Sequence, residues 1–482
     1  MDKGRGPANP APILIVLDGK KENYKLRQID LRREQYAQNN ARRASSRKGE
    51  EYEDDVGIVP VGEEFENSES QPARFSIHHP SSFPDGGGTA WLCVLGGFAA
   101  LFCSFGWINC IGIFQGYYEA NQLKEYSPGT VAWILSLETY CMFFLGPIVG
   151  KYYDAYGSRA ILLLGTFLHV FGLIMTSISS KYWHFLVCQG VVSSIGASLI
   201  FYPALGDVST WFFQRRAFAF GIMTSGSSMG GVVLPILIQR LIPRVGYGWT
   251  MRITAFVILG MMIVANLTLR SRLPPKGWTP LRLSDFLKHF KEPAYSMSIG
   301  AAFLFFFGMY LPFNYIVVSA KKNGMSLSLA NYLVSILNGT SIFGRILPGW
   351  LGDKLGRYNT MILTTGASGI LVLALWLPTT GSLPTILFVC LYGFTTGAFI
   401  SLAPACLAQI SDIRDIGVRN GAMFSTVSIA ALTGVPIGGA LVDKYKGGFL
   451  GLQIFCGVVL VSSSICWVLA RWIIGGWKMA RV

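Results

Sequence analysis

The groups in this chain with the most chemistry to offer are a guanidinium and a carboxylate set in apolar sequence. Arg345 lies in NGTSIFGRILPGW and Glu138 in WILSLETYCMFFLGP. Burying such a charge away from water costs on the order of several kcal/mol unless it is paired or hydrated, so each is a site candidate by default. Two readings of Arg345 are open. Its planar fork suits a carboxylate held by two parallel hydrogen bonds; alternatively it snorkels to an interface about five residues along. Glu138 is open in the same way, as a proton carrier or as a carboxylate satisfied by polar neighbours. Asn109, Tyr310, Asn314 and Asn338 are polar residues at comparable depth and are expected to line a cavity. His169 has no carboxylate near it in sequence and reads as packed or hydrogen-bonded, and Arg252 reads as an interfacial anchor. No cluster of His, Asp or Glu has catalytic spacing and no phosphate-binding loop is present, which disfavours an intramembrane enzyme and direct drive by ATP. No cofactor and no metal is expected.

Elements that hold these residues must survive in lipid. With 482 residues, 51% hydrophobic and 14% charged, the chain is too apolar for an ordinary soluble domain and reads as a polytopic membrane protein. Twelve apolar stretches are long enough to cross roughly 30 Å of hydrocarbon as helices. They run over 91–116, 131–149, 160–178, 183–206, 217–239, 250–269, 295–318, 329–350, 360–377, 384–407, 421–442 and 449–471. They are continuously apolar rather than alternating, which predicts an all-α bundle and not a barrel. With the N-terminus inside, 17 Lys and Arg fall in inner loops and the C-terminal tail against 9 in outer loops. That asymmetry sets the orientation, with both termini cytoplasmic.

The net charge of +14 belongs to the membrane part, because residues 1–90 carry 13 basic and 15 acidic groups. Anionic lipid headgroups, not nucleic acid, are the partners such charges imply. Residues 1–90 mix charge runs with polar residues and have too little apolar content for a core, so they are expected to form a disordered cytoplasmic tail. All nine cysteines fall in apolar stretches without metal spacing and are expected as free thiols. The sequons at Asn266 and Asn338 also lie inside predicted spans and should carry no glycan.

An internal repeat decides the architecture. GKYYDAYGSR follows the second stretch and GWLGDKLGR the eighth, with Asp154 and Asp353 at an offset of 199 residues and Arg159 and Arg357 closing the two copies. In each copy the aspartate can accept from a nearby helix N-terminus and the second glycine permits a short turn. One copy alone reads as a tight turn; two at equivalent places divide the chain into six-helix halves, 91–269 and 295–471, joined by a cytoplasmic linker, 270–294, and followed by a tail, 472–482. This pattern resembles the major facilitator superfamily, whose halves rock around a central site. Two further stretches, PDGGGTAWLCVLGGF and WFFQRRAFAFGIMTSGSSMGG, resemble the monocarboxylate porter family and its fungal members in particular. The matching residues are Asp85, Gly86, Gly87 and Trp91, then Arg215, Arg216, Ala219, Gly221, Gly226, Ser227 and Gly230. Arg215 and Arg216 are expected to anchor the inner end of the fifth helix by snorkelling, with ion pairing in a gate as the alternative. Gly226 and Gly230 form a small-xxx-small pair for close helix approach, and Thr224, Ser225, Ser227 and Ser228 either line the cavity or bond to their own helix backbone.

The resemblance implies an arginine in the eighth helix that serves substrate binding and coupling, which maps to Arg345. This chain departs from the animal proton-coupled porters, having Ser341 where they place an aspartate one turn earlier and Asn109 where they place a lysine. Glu138 is the replacement candidate for proton coupling. The function this implies is secondary transport of a small organic anion, a monocarboxylate or other carboxylate-bearing metabolite, by a monomeric unit working through alternating access. Export of a fungal secondary metabolite and carriage of a riboflavin-type solute are the alternatives within that class, and a transporter-like nutrient receptor is the alternative outside it. The plasma membrane is the expected location, with the vacuole or another internal membrane as alternatives.

Overall fold

The structure, a computed structural model, describes residues 83–277, 280, 286 and 288–476. Residues 1–82 of the expected tail and 477–482 lie outside it. The described chain is all-helical. Helix α1 starts at Gly88–Cys103 and continues, after breaks, as Phe105–Ile108 and Ile111–Ala120. Helix α2 is Pro128–Phe144 with Gly146–Tyr156, α3 is Arg159–Thr176, and α4 runs over Tyr182–Trp211. Helices α5 and α6 share the continuous run Arg216–Thr268, divided at Gly246, whose φ of 76° only glycine adopts readily. The second half comprises α7 (Pro293–Lys322), α8 (Leu327–Leu355), α9 (Arg357–Trp376), α10 (Ser382–Gln409), α11 (Ile416–Lys444) and α12 (Leu450–Gly475).

Among the described residues, ten helical stretches are long and apolar enough to cross a membrane, α5 and α6 counting as one. The remaining helix, α8, is less apolar because it carries Asn331, Asn338, Arg345, Asp353 and Lys354. Several spans prove longer than their apolar cores, since helices run on past the hydrocarbon; α12 extends to Gly475, into the segment expected as tail. Wide π turns at Leu186–Ser193 in α4 and Val372–Trp376 in α9 have no counterpart in the sequence reading.

Close backbone approach fixes the pairing inside each half. A Cβ on Gly226 would run into the carbonyl of Phe98, and one on Gly230 would meet the Phe102 carbonyl and Gly106, so α5 lies directly on α1. Gly344 and Gly393 do the same for α8 and α10. The small pair on α5 therefore serves packing within the first half rather than the boundary between halves. That boundary is made by α2 against α11 and by α5 against α8. It is closed at the end bearing Arg159, Arg215, Lys276 and Arg414, called here the basic end. There Gly146 faces the carbonyl of Gly421, and Gly150 faces that of Gly417, at distances no side chain allows.

Candidate functional site

Two aspartates bolt the basic end shut, each reaching into the other half. Asp154 of α2 accepts from the Val418 N–H at 3.1 Å, at the first turn of α11, and Gly417 leaves room for its carboxylate. Asp353 of α8 accepts from the Ala217 and Phe218 N–H groups at 3.1 and 2.8 Å, at the first turn of α5. A carboxylate at a helix N-terminus satisfies orphan donors and opposes the positive end of the dipole. The arginines are less symmetric. Arg357 pairs with Asp353 at 3.1 Å and donates to the Phe213 carbonyl across the boundary, whereas Arg159 is exposed and makes no hydrogen bond or ion pair among the described residues.

Arg215 and Arg216 also part company. The Arg215 side chain is exposed, as an anchoring role requires, but Arg216 is only 2% exposed. Its guanidinium donates to the carbonyls of Phe212, Ser209 and, in the other half, Ala408. Snorkelling is therefore not its arrangement; it is a structural bolt of the boundary. Asp85, just before α1, accepts from three successive N–H groups, Phe213 to Arg215, and so shapes the loop that presents Arg216. Behind this boundary, Arg419 of α11 is held by Glu292 and by Nδ1 of His289. Burial, with Arg419 and Lys288 nearby, keeps the His289 imidazole below its ordinary pKa.

Deeper in the bundle, Arg345 is 4% exposed and lies on the boundary itself. Its Nη1 donates to the Thr224 carbonyl at 2.6 Å and to the Ser227 hydroxyl, its Nε to Ser341 at 3.3 Å, and the guanidinium stands 5.9 Å from the Phe105 ring centre. It points across the boundary instead of snorkelling. No carboxylate pairs with it among the described residues. Ser341 also receives the Ser228 hydroxyl at 3.1 Å, while Thr224, Ser225 and Ser227 donate to carbonyls of their own helix. Asn109 and Asn338 flank Gly231, with the Asn109 amide reaching the Ser227 carbonyl at 3.5 Å. The structure thus gathers Arg345, Ser341, Asn109 and Asn338 where α1, α5 and α8 meet. On α7, the Tyr310 hydroxyl is shielded from solvent without a hydrogen-bond partner, and exposed Asn314 donates to the Tyr310 carbonyl at 2.8 Å.

An aromatic layer unforeseen in the sequence closes the boundary at this depth. Phe143 and Phe201 of the first half, with Phe105 packed on both, meet Phe306 and Phe424 of the second, with centroids 5.1 to 5.9 Å apart across the boundary. Phenylalanine is so common here, 32 in all, that nothing singles these out before the helices are assembled.

Glu138 lies away from the boundary, inside the first half, and is 2% exposed. The Trp107 indole donates to one carboxylate oxygen at 2.6 Å and Gln189 to the other at 3.0 Å. Tyr118 donates to the Gln189 carbonyl oxygen at 2.6 Å and shares a hydrogen bond with Tyr247 at 3.0 Å. Trp107, Tyr118, Gln189 and Tyr247 are participants the sequence reading missed; Gln189, an amide within an apolar stretch, was the available signal. His169 is hydrogen-bonded, to Ser193 and the Cys103 carbonyl, and Arg252 donates to Ser177 beside Trp249.

The comparisons with known proteins agree with this architecture. The family model described as Major Facilitator Superfamily matches residues 92–391 and 299–476. An MFS-type transporter from an Ophiocordyceps species is 50% identical over 397 residues, covering 82% of this chain and 88% of the relative. The fujikurins efflux protein of Gibberella fujikuroi is 45% identical, covering 80% and 83%, and the aspyridones efflux protein of Emericella nidulans 37% identical, covering 82% of each. Among solved structures, a Major Facilitator Superfamily transporter in the outward conformation aligns with a TM-score of 0.63 at 15% identity, over 79% of this chain and 98% of that one. Two six-helix halves, reciprocal aspartate bolts and the match along most of the sequence lead to one conclusion: the chain belongs to the Major Facilitator Superfamily.

Proposed function

We propose that this transporter exports a small acidic metabolite, holding its carboxylate or comparably acidic group at Arg345. The observation that carries the reading is a nearly fully buried guanidinium on the boundary between halves, bonded to hydroxyls and a carbonyl but to no carboxylate among the described residues. A buried charge of this kind needs a counter-charge at some stage of the cycle, and a bound anion supplies it. The unpartnered Tyr310 hydroxyl and the amides of Asn109 and Asn338 offer further polar contacts, and the aromatic layer suits an apolar body attached to the acid. Relatives named as efflux proteins for fujikurins and aspyridones support the outward direction and a secondary-metabolite cargo over a monocarboxylate nutrient. The transport unit is the monomer, set in the plasma membrane with its basic end and both termini in the cytoplasm.

Metabolite profiling of cells with and without the protein tests this reading. An acid retained inside deletion cells and released on re-expression is the expected result. Arg345→Gln, inserted normally, should fail to restore release, and Arg345→Lys should restore less than about a tenth of it, because a point charge does not reproduce the planar fork. A retained solute without an acidic group, or full release through Arg345→Gln, overturns the assignment.

A further inference from the structure

We propose that Glu138 is a proton-binding site whose state is passed to Arg345 by the four-residue helical piece Phe105–Ile108. The inference deepens the transport reading by naming a coupling ion and the element that couples it. Three observations carry it. Glu138 is a buried carboxylate whose hydrogen-bond partners, Trp107 and Gln189, are both neutral, with no cation paired to it among the described residues. Its neighbours form a chain able to serve both protonation states. As a carboxylate, it accepts from Gln189 Nε2, while Gln189 Oε1 accepts from Tyr118. When one aqueous proton adds to Oε2, rotation of the Gln189 amide by about half a turn reverses the polarity: the carboxyl O–H donates to Oε1, Nε2 donates to Tyr118, and Tyr118 turns its hydrogen to Tyr247. Glu138, Gln189 and Tyr118 keep a partner in both states, and only the Tyr247 O–H is released from Tyr118 when the polarity reverses. The chain ends at Tyr247, the residue after the Gly246 turn, at the end of the bundle opposite the basic one.

Local backbone departures occur at the places this function needs. Gln189 sits within the π turn Leu186–Ser193, a costly widening that recurs at functional positions in helices. The Phe105–Ile108 piece is separated from the rest of α1 at Ser104 on one side and at Asn109 and Cys110 on the other. It carries Trp107, which holds Glu138, and Phe105, whose ring lies against Arg345; Asn109 at its end reaches α5. A change in the hydrogen bonding of Glu138 therefore acts on a piece that also touches Arg345. The other ionisable groups around Glu138 are Cys110 and Tyr118 of α1, Tyr247 of α6 and, beyond Trp107, His169 of α3. Glu119 is taken by Gln115 and Arg252 by Ser177; on α11, Arg419 lies at the basic end and Asp443 and Lys444 in the last turn at the other end.

Infrared difference spectra of the purified full-length protein, titrated between about pH 5 and 9, test the proposal without any transported solute. A buried-carboxyl band should titrate in the wild type and vanish in Glu138→Gln. Gln189→Leu should move its midpoint toward alkaline pH by about half a unit or more, since the carboxylate loses a donor. Phe105→Leu, which alters a side chain against Arg345 and not against Glu138, should move the same midpoint, whereas Phe102→Leu, beyond the Ser104 break, should not. A band that never titrates removes the proton site. A midpoint indifferent to Phe105→Leu removes the coupling piece. Either failure leaves the acid-export reading standing, because Arg345 is tested by release of the metabolite.

Discussion

At the residue scale, the two copies of the repeated loop motif have the same letters but different work. Asp154 and Asp353 each cap a helix of the opposite half, yet Arg357 is buried against Asp353 and Phe213 while Arg159 stands in solvent. Removing an exposed, unpaired charge changes little, whereas removing a buried partner strands the other. Arg159→Ala should therefore keep turnover within about twofold of wild type, and Arg357→Ala should slow it about tenfold or more, in a flux assay with the released acid. Equal slowing by both would mean that the motif acts through net charge at the membrane surface. The aspartates were legible in the sequence because a repeat at a fixed offset marks equivalent positions. The arginines were not, because the partners that separate Arg357 from Arg159, and Arg216 from Arg215, come from segments distant in sequence, Phe213 144 residues from Arg357 and Ala408 192 residues from Arg216.

At the element scale, hydrophobic length located the helices, and their breaks escaped it. The interruption of α1 at Asn109 and Cys110 and the π turn at Gln189 fall inside continuously apolar stretches, where hydrophobic length does not distinguish a broken helix from a regular one. Glycine spacing, by contrast, marked a real contact in α5, though not which helix would occupy it. Gly226→Leu should abolish folding, seen as loss of the monodisperse protein after extraction, because the new side chain meets the Phe98 backbone, which has nowhere to go. The tie between α7 and α11 adds a pH dependence. The lowered pKa of His289 means the folded state favours the neutral ring, whose Nδ1 accepts from Arg419 at 3.3 Å. This contribution is fully present above about pH 6.5 and declines as pH falls below it, when the unfolded chain takes up the proton more readily. Thermal unfolding of detergent-extracted protein should therefore drop more between about pH 7.5 and 5.5 for the wild type than for His289→Asn, which does not titrate. An identical drop in the two proteins would show that His289 is not the group responsible.

At the scale of the whole molecule, the halves meet through backbone approaches and caps at the basic end and through side chains deeper in the seam, an arrangement that can open there without unfolding either half. Gly146 and Gly150 of α2 lie against Gly421 and Gly417 of α11, and deeper in the seam the halves meet through side chains, those of the aromatic layer and of Arg345. A side chain added in the seam therefore differs in kind from one added at Gly226, because rotation of the halves relieves it. Gly421→Leu should insert and fold normally but shift the population away from the state closed at the basic end. A shift from nearly all closed to mostly open needs a differential of roughly 3 to 5.5 kcal/mol, and one overpacked position typically imposes about 1 to 3 kcal/mol, enough to bring a distinct open population into view. Spin labels at Arg159 and Lys354, exposed on opposite halves at the basic end, report it directly. In the wild type the label-to-label distance should be narrowly distributed; in Gly421→Leu a longer population should appear, and it should grow further when Asp353→Asn weakens the cap on α5. Unchanged distances in a well-folded Gly421→Leu protein would place the moving boundary elsewhere, and with it the assignment of Asp154 and Asp353 as bolts of a gate.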